Sequence, residues 1–256
     1  MALDWKLLVS QGHHVLLHGR NTEKLEVVKQ ALSALTAAEN FESYEADFSN
    51  MAEVEALAND VAEKHSQLDV LINNAGILKT PNPITQDGLD VRFAVNTLAP
   101  YLLTQKLLPL MKPSGRVINL SSAAQSPVNP EALAGLVRLS EDFDAYAQSK
   151  LALTMWSRHF ALSLKGNAPA FIAVNPGSLL ATKMVKEGFG MAGNDIRIGA
   201  EILVRAALTD EFAGVSGQYF DNDSGQFASP HSDALDVRKS EEIVRTIERV
   251  LTEITL

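Results

Sequence analysis

The segment YAQSK, residues 146–150, carries a phenol and an ammonium group at a spacing that suits acid–base chemistry. Tyr146 and Lys150 are four residues apart at the predicted start of a helix, so both side chains point to one helix face. A free phenol has a pKa of about 10, and a neighbouring ammonium group favours the phenolate. A tyrosine tuned in this way can donate or accept a proton near neutral pH. Taken alone, the spacing fits a surface Tyr–Lys pair more often than a catalytic one.

Three further motifs of polar or small residues each follow an apolar run of strand length. LINNAG ends at residue 76, INLSS ends with Ser121 and Ser122, and VNPG ends at residue 177. In open parallel sheets, ligands bind beyond the carboxyl ends of the strands. The sequence therefore predicts that these motifs and the Tyr–Lys pair share one ligand site.

Apolar runs of strand length alternate with longer helical segments along the chain, a pattern typical of βαβ units and a parallel sheet. We therefore predict one α/β domain over residues 1–256, with a doubly wound Rossmann-type sheet. The predicted elements include helices over 22–37, 50–65 and 88–111, helices from about Asp144 and Ser240, a polar insertion at 124–143 and a mobile, glycine-containing loop at 178–198.

Composition excludes several classes of function. The formal charge is −9 and the basic residues are not clustered, which argues against a nucleic-acid partner. The chain has no cysteine, hence no thiolate metal site or cysteine nucleophile, and we predict no metal. We find neither an apolar run that could span a membrane nor a pattern like a signal peptide, so we expect a cytoplasmic protein.

The motifs NNAG, the Asn in FAVNTLAP, NLSS, YAQSK and NPG, in this order, resemble those of the short-chain dehydrogenase/reductase family. The resemblance extends from about residue 2 to about residue 220. It implies hydride transfer between a nicotinamide cofactor and a small carbonyl or alcohol substrate.

The resemblance also implies a role for individual residues. Tyr146 is similar to the family's general acid/base, and Lys150 to the residue that tunes it and holds the nicotinamide ribose. Ser122 is similar to the donor that orients the substrate oxygen. Asn96 resembles the asparagine that supports a water relay behind the lysine, although a satisfied core amide would also fit its apolar helix. Ser122 alone would fit an ordinary serine at a strand end.

Other positions match the family's cofactor contacts. Asp47 resembles the aspartate that contacts adenine, and would otherwise begin the turn before the helix at Asn50. Thr182 either touches the nicotinamide carboxamide or caps the short helix KMVKEG. The full set implied to bind cofactor is Arg20, Asp47, Asn74, Ala75, Gly76, Tyr146, Lys150, Pro176, Gly177 and Thr182.

Cofactor preference can be predicted from the end of the strand HVLLHG. An acidic residue there would bond the ribose hydroxyls, whereas an arginine would receive a 2′-phosphate. Gly19 occupies the acidic position and Arg20 follows it, with Lys24 one turn later. The sequence therefore favours NADP(H) over NAD(H), unless Arg20 only begins the charged face of a helix.

Two features depart from the common family pattern. Tyr146 lies 24 positions after Ser122, and this longer insertion resembles that of retinol-dehydrogenase-like members, whose substrates are often apolar. The segment NPGSLLATKM has one residue more before Thr182 than the usual turn. The walls of a substrate site would be formed by residues 124–143 and 178–198.

The beginning of the chain differs from the family more strongly. Members open with a strand and a glycine-rich loop that meets the pyrophosphate at a helix N-terminus. Here MALDWKLLVSQG aligns with the middle and end of the first helix, and Gly12 ends that helix. The missing strand would lie between HVLLHG and LDVLI. Either those two strands close the gap with strain, or the chain is an incomplete version of a longer protein, and we expect the second.

Two alternatives to an active oxidoreductase follow from these departures. One is a truncated, inactive family member that acts as a binding or regulatory partner. The other is a relative of nucleotide-sugar epimerases, which NNAG and the modest C-terminal region disfavour. The helices over 88–111 and from 144 could also pair with a second copy in a homo-oligomer.

Overall fold

The structure is a computed structural model and describes residues 4–33, 41–164, 166–190 and 192–255. The alternation predicted from the sequence is present, with helices on both faces of parallel strands. In chain order the elements are α1 (Asp4–Ser10), β1 (Val15–Gly19), α2 (Thr22–Ser33), β2 (Phe41–Glu45), α3 (Met51–Lys64), β3 (Leu68–Asn73), α4 (Val91–Phe93), a π-helical turn (Ala94–Leu98), α5 (Ala99–Leu107), β4 (Met111–Leu120), α6 (Pro130–Leu133), α7 (Asp142–Leu164), β5 (Ala170–Asn175), α8 (Lys183–Phe189), α9 (Ile196–Leu208), β6 (Tyr219–Asp221), β7 (Gln226–Ala228), α10 (Ser232–Leu235) and α11 (Val237–Ile254).

The strands form two separate sheets. β1 and β2 are a parallel pair, with Val15 opposite Phe41. The second sheet has the order β3-β4-β5-β6-β7, in which β7 alone is antiparallel. Ile118 at the centre of β4 lies between Ile72 and Ile172, so the middle of this sheet is apolar. Parallel strands joined through helices confirm the predicted α/β class and Rossmann-type sheet.

The break between the sheets lies where the sequence analysis places a gap. In the part of the chain that the structure describes, β1 does not pair with β3, so HVLLHG and LDVLI do not close into one sheet. Every residue of β1 is partly exposed, whereas Phe171 to Asn175 of β5 are buried. Helix α1 packs against β1 and also against α9, which itself contacts β3. These helix contacts connect the two sheets on one face.

Helix α3 shows how local sequence sets the element boundaries. Asn50 accepts a hydrogen bond from Ala52 N at 3.1 Å and donates one to Glu53 Oε1, also at 3.1 Å. The Glu53 carboxylate in addition accepts a hydrogen bond from Asp47 N at 2.6 Å. Asn50 therefore caps the helix as expected, because it satisfies an amide that the helix leaves free, whereas Glu53 bonds the preceding turn and not the Asn50 amide of a capping box.

The last helix, α11, packs against α7 and contacts α5, the two helices that could pair with a second copy of the chain according to the sequence. Its apolar side packs on α7, and Ile247 and Val250 at this contact are buried. On α5, Tyr101 donates a hydrogen bond to Glu248 at 2.9 Å. The apolar surfaces of the two helices are therefore covered in part by the chain itself.

Several predicted boundaries were wrong. The helix predicted over 88–111 begins at Val91 because Asp90 caps it, and β4 begins at Met111 rather than near residue 115. Residues 178–198, predicted as a mobile loop, contain α8 and a bridge between Leu180 and Asn194. Residues 1–3 and 34–40, which include parts of the first two predicted helices, lie outside the described residues.

Candidate active site

The predicted site residues converge at the carboxyl ends of β3, β4 and β5. Ser122 lies two residues after β4 and Gly177 two residues after β5. The turn at residues 74–77 follows β3, and Lys150 and Tyr146 lie in the first half of α7. Three strand ends and one helix thus place an amide turn, a hydroxyl, a phenol and an ammonium group around one crevice.

Tyr146 and Ser122 are neighbours in the site. The Ser122 hydroxyl is close enough to the Tyr146 phenol to affect its pKa, and its oxygen accepts a hydrogen bond from Ala124 N at 3.1 Å. Burial raises the pKa of Tyr146 above its usual value, and the Ser122 hydroxyl partly opposes this effect. The Lys150 ammonium is 5.8 Å from the centre of the Tyr146 ring. The direction of this shift is opposite to the lowering expected from the neighbouring ammonium group, because desolvation is the larger effect.

Lys150 is buried beside the same strand end, with 4% of its surface exposed. Its Nζ donates a hydrogen bond to Leu120 O at 2.7 Å. Burial lowers the pKa of Lys150 from 10.5 to about 8, since the charged form loses hydration. An ammonium group has three N–H donors, and the described part of the chain supplies this one acceptor.

Asn96 holds the turn after β3. Its Oδ1 accepts from Ile77 N at 2.8 Å, and its Nδ2 donates to Ile77 O and to Ser149 Oγ, both at 2.9 Å. The residue lies in the π-helical turn, an irregularity that is frequent at functional sites. The amide thus satisfies its hydrogen bonds within the protein, which agrees with the alternative of a core amide, and it fixes the turn next to Gly76.

Gly76 lies at the centre of this arrangement. A Cβ atom at this position would be 3.5 Å from both Asn96 Oδ1 and Lys150 Nζ, and 3.7 Å from Met184 Cε. Helix α8 therefore reaches over the turn. The sequence analysis did not identify Met184, since a methionine in a glycine-containing segment carried no signal for this contact.

The predicted adenosine contacts follow the strands of the smaller sheet, Arg20 after β1 and Asp47 after β2. Arg20 follows β1, is exposed, and forms no ion pair with any described residue. Asp47 accepts hydrogen bonds from Ser49 N at 2.9 Å and Ser49 Oγ at 2.8 Å, so it does form the turn before α3. The sequence analysis missed His18, whose ring stacks on Phe48 at 3.9 Å and whose pKa is lowered by burial.

The segment after β5 is fixed by an aspartate that the sequence analysis also missed. Asp223, in the turn between β6 and β7, accepts from Ser178 N at 2.7 Å and from Asn175 Nδ2 at 2.8 Å. Leu179 takes a left-handed conformation with φ of 52°, which accommodates the extra residue in NPGSLLATKM. Thr182 Oγ1 accepts from Val185 N at 3.2 Å, so in this structure it caps α8.

The arrangement can perform proton transfer at an oxygen atom. A phenol and a neighbouring hydroxyl can both donate to a carbonyl oxygen, and a buried ammonium group lies beside the phenol. Among the described residues we find no cluster of side chains suited to a metal ion. Over the same residues, no helix is long and apolar enough to cross a membrane.

The chain matches the model of one protein family and is similar to several dehydrogenases. The family model for short chain dehydrogenase matches residues 5–192. Human retinol dehydrogenase 13 is 27% identical over 250 residues, which cover 91% of this chain and 76% of that protein. Human polyprenol dehydrogenase is 32% identical over 238 residues, covering 85% of this chain and 72% of that protein.

Solved structures show the same fold. A protein from Mycobacterium paratuberculosis superposes with a TM-score of 0.81 at 27% identity, covering 97% of this chain and 88% of that one. The NADP complex of RhlG from Pseudomonas aeruginosa has a TM-score of 0.64 at 24% identity, covering 87% and 90% of the two chains. A blue fluorescent protein from a metagenomic library, in complex with NADPH, has a TM-score of 0.66 at 23% identity, covering 89% and 93% of the two chains.

Proposed function

The chain belongs to the short-chain dehydrogenase family, in its retinol-dehydrogenase-like branch, and we propose that it transfers hydride between NADP(H) and the carbonyl or alcohol group of an apolar molecule. Family membership makes it an oxidoreductase. The observation that carries the proposal is that Ser122, Tyr146 and the buried Lys150 lie side by side.

The residues of the crevice fit a nicotinamide cofactor. Lys150 has N–H groups without an acceptor among the described residues, and its Nζ lies beside the turn that contains Gly76. After β1, Arg20 is an exposed cation without a partner among the described residues. Lys150 would hold the nicotinamide ribose and Arg20 the 2′-phosphate. Asp47, the turn at 74–77 and the segment 176–182 would complete the site.

The cofactor, when bound, supplies or accepts the hydride. The chain's own groups manage the proton. In reduction, Ser122 donates a hydrogen bond to the carbonyl oxygen and Tyr146 delivers a proton to it, while Lys150 stabilises the phenolate that remains. In oxidation of an alcohol, the phenolate accepts that proton instead. A pKa of about 8 lets Lys150 hold or release its proton near neutral pH.

An apolar substrate is supported by the surface around Tyr146. Phe143 is 49% exposed, and its ring centre is 6.4 Å from that of Tyr146. Leu136 is 72% exposed in the insertion, which Arg138 holds by a 2.8 Å hydrogen bond to Gly88 O. Exposed apolar side chains next to a polar reaction centre favour a ligand with a long apolar part. The relatives named retinol and polyprenol dehydrogenases are consistent with this substrate class.

The experiment that tests the proposed function measures absorbance of the nicotinamide band with NADPH and an apolar aldehyde such as retinal. We expect turnover by the chain, and at least a 100-fold loss in Tyr146→Phe, since that variant retains the ring but has no proton to transfer. Tyr101→Phe is the matched control, because it removes a tyrosine hydroxyl from the contact with α11. Equal rates in Tyr146→Phe and wild type would refute the assignment. A folded chain without turnover or cofactor binding would instead support a non-enzymatic binding partner.

A further inference from the structure

The backbone carbonyl of Ser122 is held by two side chains from different parts of the fold. Tyr219 Oη donates a hydrogen bond to Ser122 O at 3.1 Å, and Gln125 Nε2 donates to the same oxygen at 2.9 Å. The Gln125 side chain also lies close enough to the Tyr219 hydroxyl to affect its pKa. The Ser122 carbonyl, two residues after β4, therefore has two neighbouring donors.

Both donors are firmly anchored. Tyr219 is 6% exposed and begins β6, where it lies opposite Ala173 of β5 in the sheet register. Gln125 uses its remaining amide oxygen to accept from His231 N at 3.1 Å, which connects it to the segment before α10. Because sheet and loop each fix one donor, the peptide group after Ser122 has little freedom to rotate.

The carbonyl held by Tyr219 and Gln125 belongs to Ser122, the residue whose hydroxyl is next to Tyr146. Ser122 lies outside the strand ladder, and β4 ends two residues earlier at Leu120. Its hydroxyl lies beside the Tyr146 phenol. If the Ser122 backbone rotated, its hydroxyl would turn away from the phenol. The position of the hydroxyl therefore depends on the two hydrogen bonds to the Ser122 carbonyl.

We propose that Tyr219, together with Gln125, is a positioning residue for the candidate active site, because it fixes the Ser122 backbone so that the serine hydroxyl stays directed at Tyr146. The kinetic consequence rests on the proposed function, whereas the structural consequence does not. Tyr219 touches neither Tyr146 nor Lys150 through any described hydrogen bond, and it acts through Ser122.

The test measures the NMR chemical shift of the tyrosine ring carbon that bears the hydroxyl. This carbon is labelled with ¹³C in all tyrosines of the chain. The chain has four tyrosines, so the Tyr146 resonance can be assigned by its loss in Tyr146→Phe. At pH 7 its chemical shift reports the surroundings of the phenol, which include the Ser122 hydroxyl. We expect Tyr219→Phe to move this shift toward its value in Ser122→Ala. The matched control is Tyr101→Phe, which also removes a buried tyrosine hydroxyl, here bonded to Glu248, and should leave the shift unchanged.

A double variant distinguishes an effect of Tyr219 through Ser122 from an effect of a generally less stable fold. If Tyr219 acts through Ser122, the double variant Tyr219→Phe/Ser122→Ala should show the Tyr146 shift of Ser122→Ala alone. Under turnover, Tyr219→Phe should lower kcat about 3- to 10-fold, the range for one lost hydrogen bond, with KM for cofactor unchanged. Should Tyr219→Phe fail to fold, Gln125→Met removes the other donor and should move the Tyr146 shift in the same direction.

An unchanged Tyr146 shift in the folded Tyr219→Phe variant would overturn the proposal. So would a shift that adds to the effect of Ser122→Ala, since additivity means independent action. The NMR measurement needs neither cofactor nor substrate. A chain without activity would therefore refute the proposed function, while the resonance of Tyr146 still decides the role of Tyr219.

Discussion

Arg20 is the residue on which the choice between the two nicotinamide cofactors depends most directly. It directly follows Gly19, the position where an acidic side chain would bond ribose hydroxyls and repel a 2′-phosphate. Its guanidinium group is exposed and has no ion-pair partner among the described residues. A phosphate could therefore reach it without displacing an existing contact, and a planar guanidinium can bind phosphate through two parallel hydrogen bonds.

We expect Arg20→Ala to weaken NADPH binding about 10- to 100-fold, the loss of one charge-assisted contact of roughly 1.5–3 kcal/mol, and to leave NADH binding unchanged. Isothermal titration of both cofactors against wild type and variant measures this. Arg249→Ala is a suitable control, since it removes an exposed arginine from α11. Tighter binding of NADH than NADPH by the wild-type chain would contradict the preference.

Lys150 adds a pH dependence of stability that can be isolated. Its folded pKa, about 8, lies below the unfolded value of 10.5, so between these values the unfolded chain binds a proton that the folded chain does not. The free energy of unfolding should therefore rise with pH in this window, by at most about 1.4 kcal/mol per pH unit. Below pH 8 Lys150 is protonated in both states, so it adds no pH dependence to the free energy of unfolding there.

Denaturant unfolding of wild type and Lys150→Met from pH 7.5 to 9.5 tests this expectation. Methionine has a similar length without the charge, and subtracting its curve removes the titration of other groups. The difference in unfolding free energy should move in favour of the wild type as pH increases. A difference that is constant across this range would show that the ammonium of Lys150 is not desolvated as the structure indicates.

At the scale of elements, the insertion between β4 and α7 is fixed to the rest of the fold. Arg92, which is buried, pairs with Asp90 through a 2.7 Å hydrogen bond from Nε and also pairs with Asp142 at the start of α7. Arg138 binds Gly88 O from the middle of the insertion. These contacts hold the exposed apolar side chains of this region in place, so they can act as a preformed surface for an apolar ligand.

Replacing one of these side chains should change selectivity more than turnover. We expect Phe143→Ser to lower kcat/KM for a long apolar aldehyde such as retinal about 10-fold, since a buried aromatic contact contributes roughly 1.5 kcal/mol or more. The value for a short aldehyde such as propanal should change little. Leu162→Ser, at another half-exposed apolar position near the end of α7, is the matched control. An equal loss for both aldehydes would mean that Phe143 supports the reaction centre and not the apolar part of the substrate.

Elements set by local pattern could be predicted, whereas those set by distant contacts could not. Tyr146 and Lys150 share a face because helical periodicity is local, and Asn50 with Glu53 marks a helix start within four residues. Helix α8 was predicted only as one alternative, the short helix KMVKEG capped by Thr182, because its glycine-containing segment was otherwise predicted to be a mobile loop. Its start depends on the Thr182 cap and its end on Gly190, which takes a left-handed conformation with φ of 67°.

Contacts across the fold left no local signal. Tyr219 reaches Ser122 from 97 residues away, and Asp223 reaches Ser178 from 45 residues away. A Cβ at Gly193 would lie 2.7 Å from the backbone of Ala181, so glycine is required there by a close approach that only the folded chain reveals. Sequence reasoning named the groups that could react, but not the groups that hold them.

At the scale of the whole molecule, the division into two sheets predicts unequal local stability. Three-stranded or larger sheets are stable on their own, whereas two-stranded ones are marginal. The sheet of β1 and β2 has two strands, and all residues of β1 are partly exposed. β4 and β5 lie inside the five-stranded sheet, where Ile118 and Ile172 are fully buried.

Backbone amides of β1 and β2 should therefore exchange with deuterium through local opening, at rates well above those of β4 and β5. Pulsed hydrogen exchange with mass spectrometry resolves the two regions, and mild denaturant should accelerate exchange in β4 and β5 more steeply, because those strands open only with global unfolding. The pairs of β6 with β7 serve as an internal comparison, since they lie at the edge of the larger sheet. Protection of β1 and β2 equal to that of β4 would mean that α1, by packing on both β1 and α9, couples the two sheets into one cooperative unit.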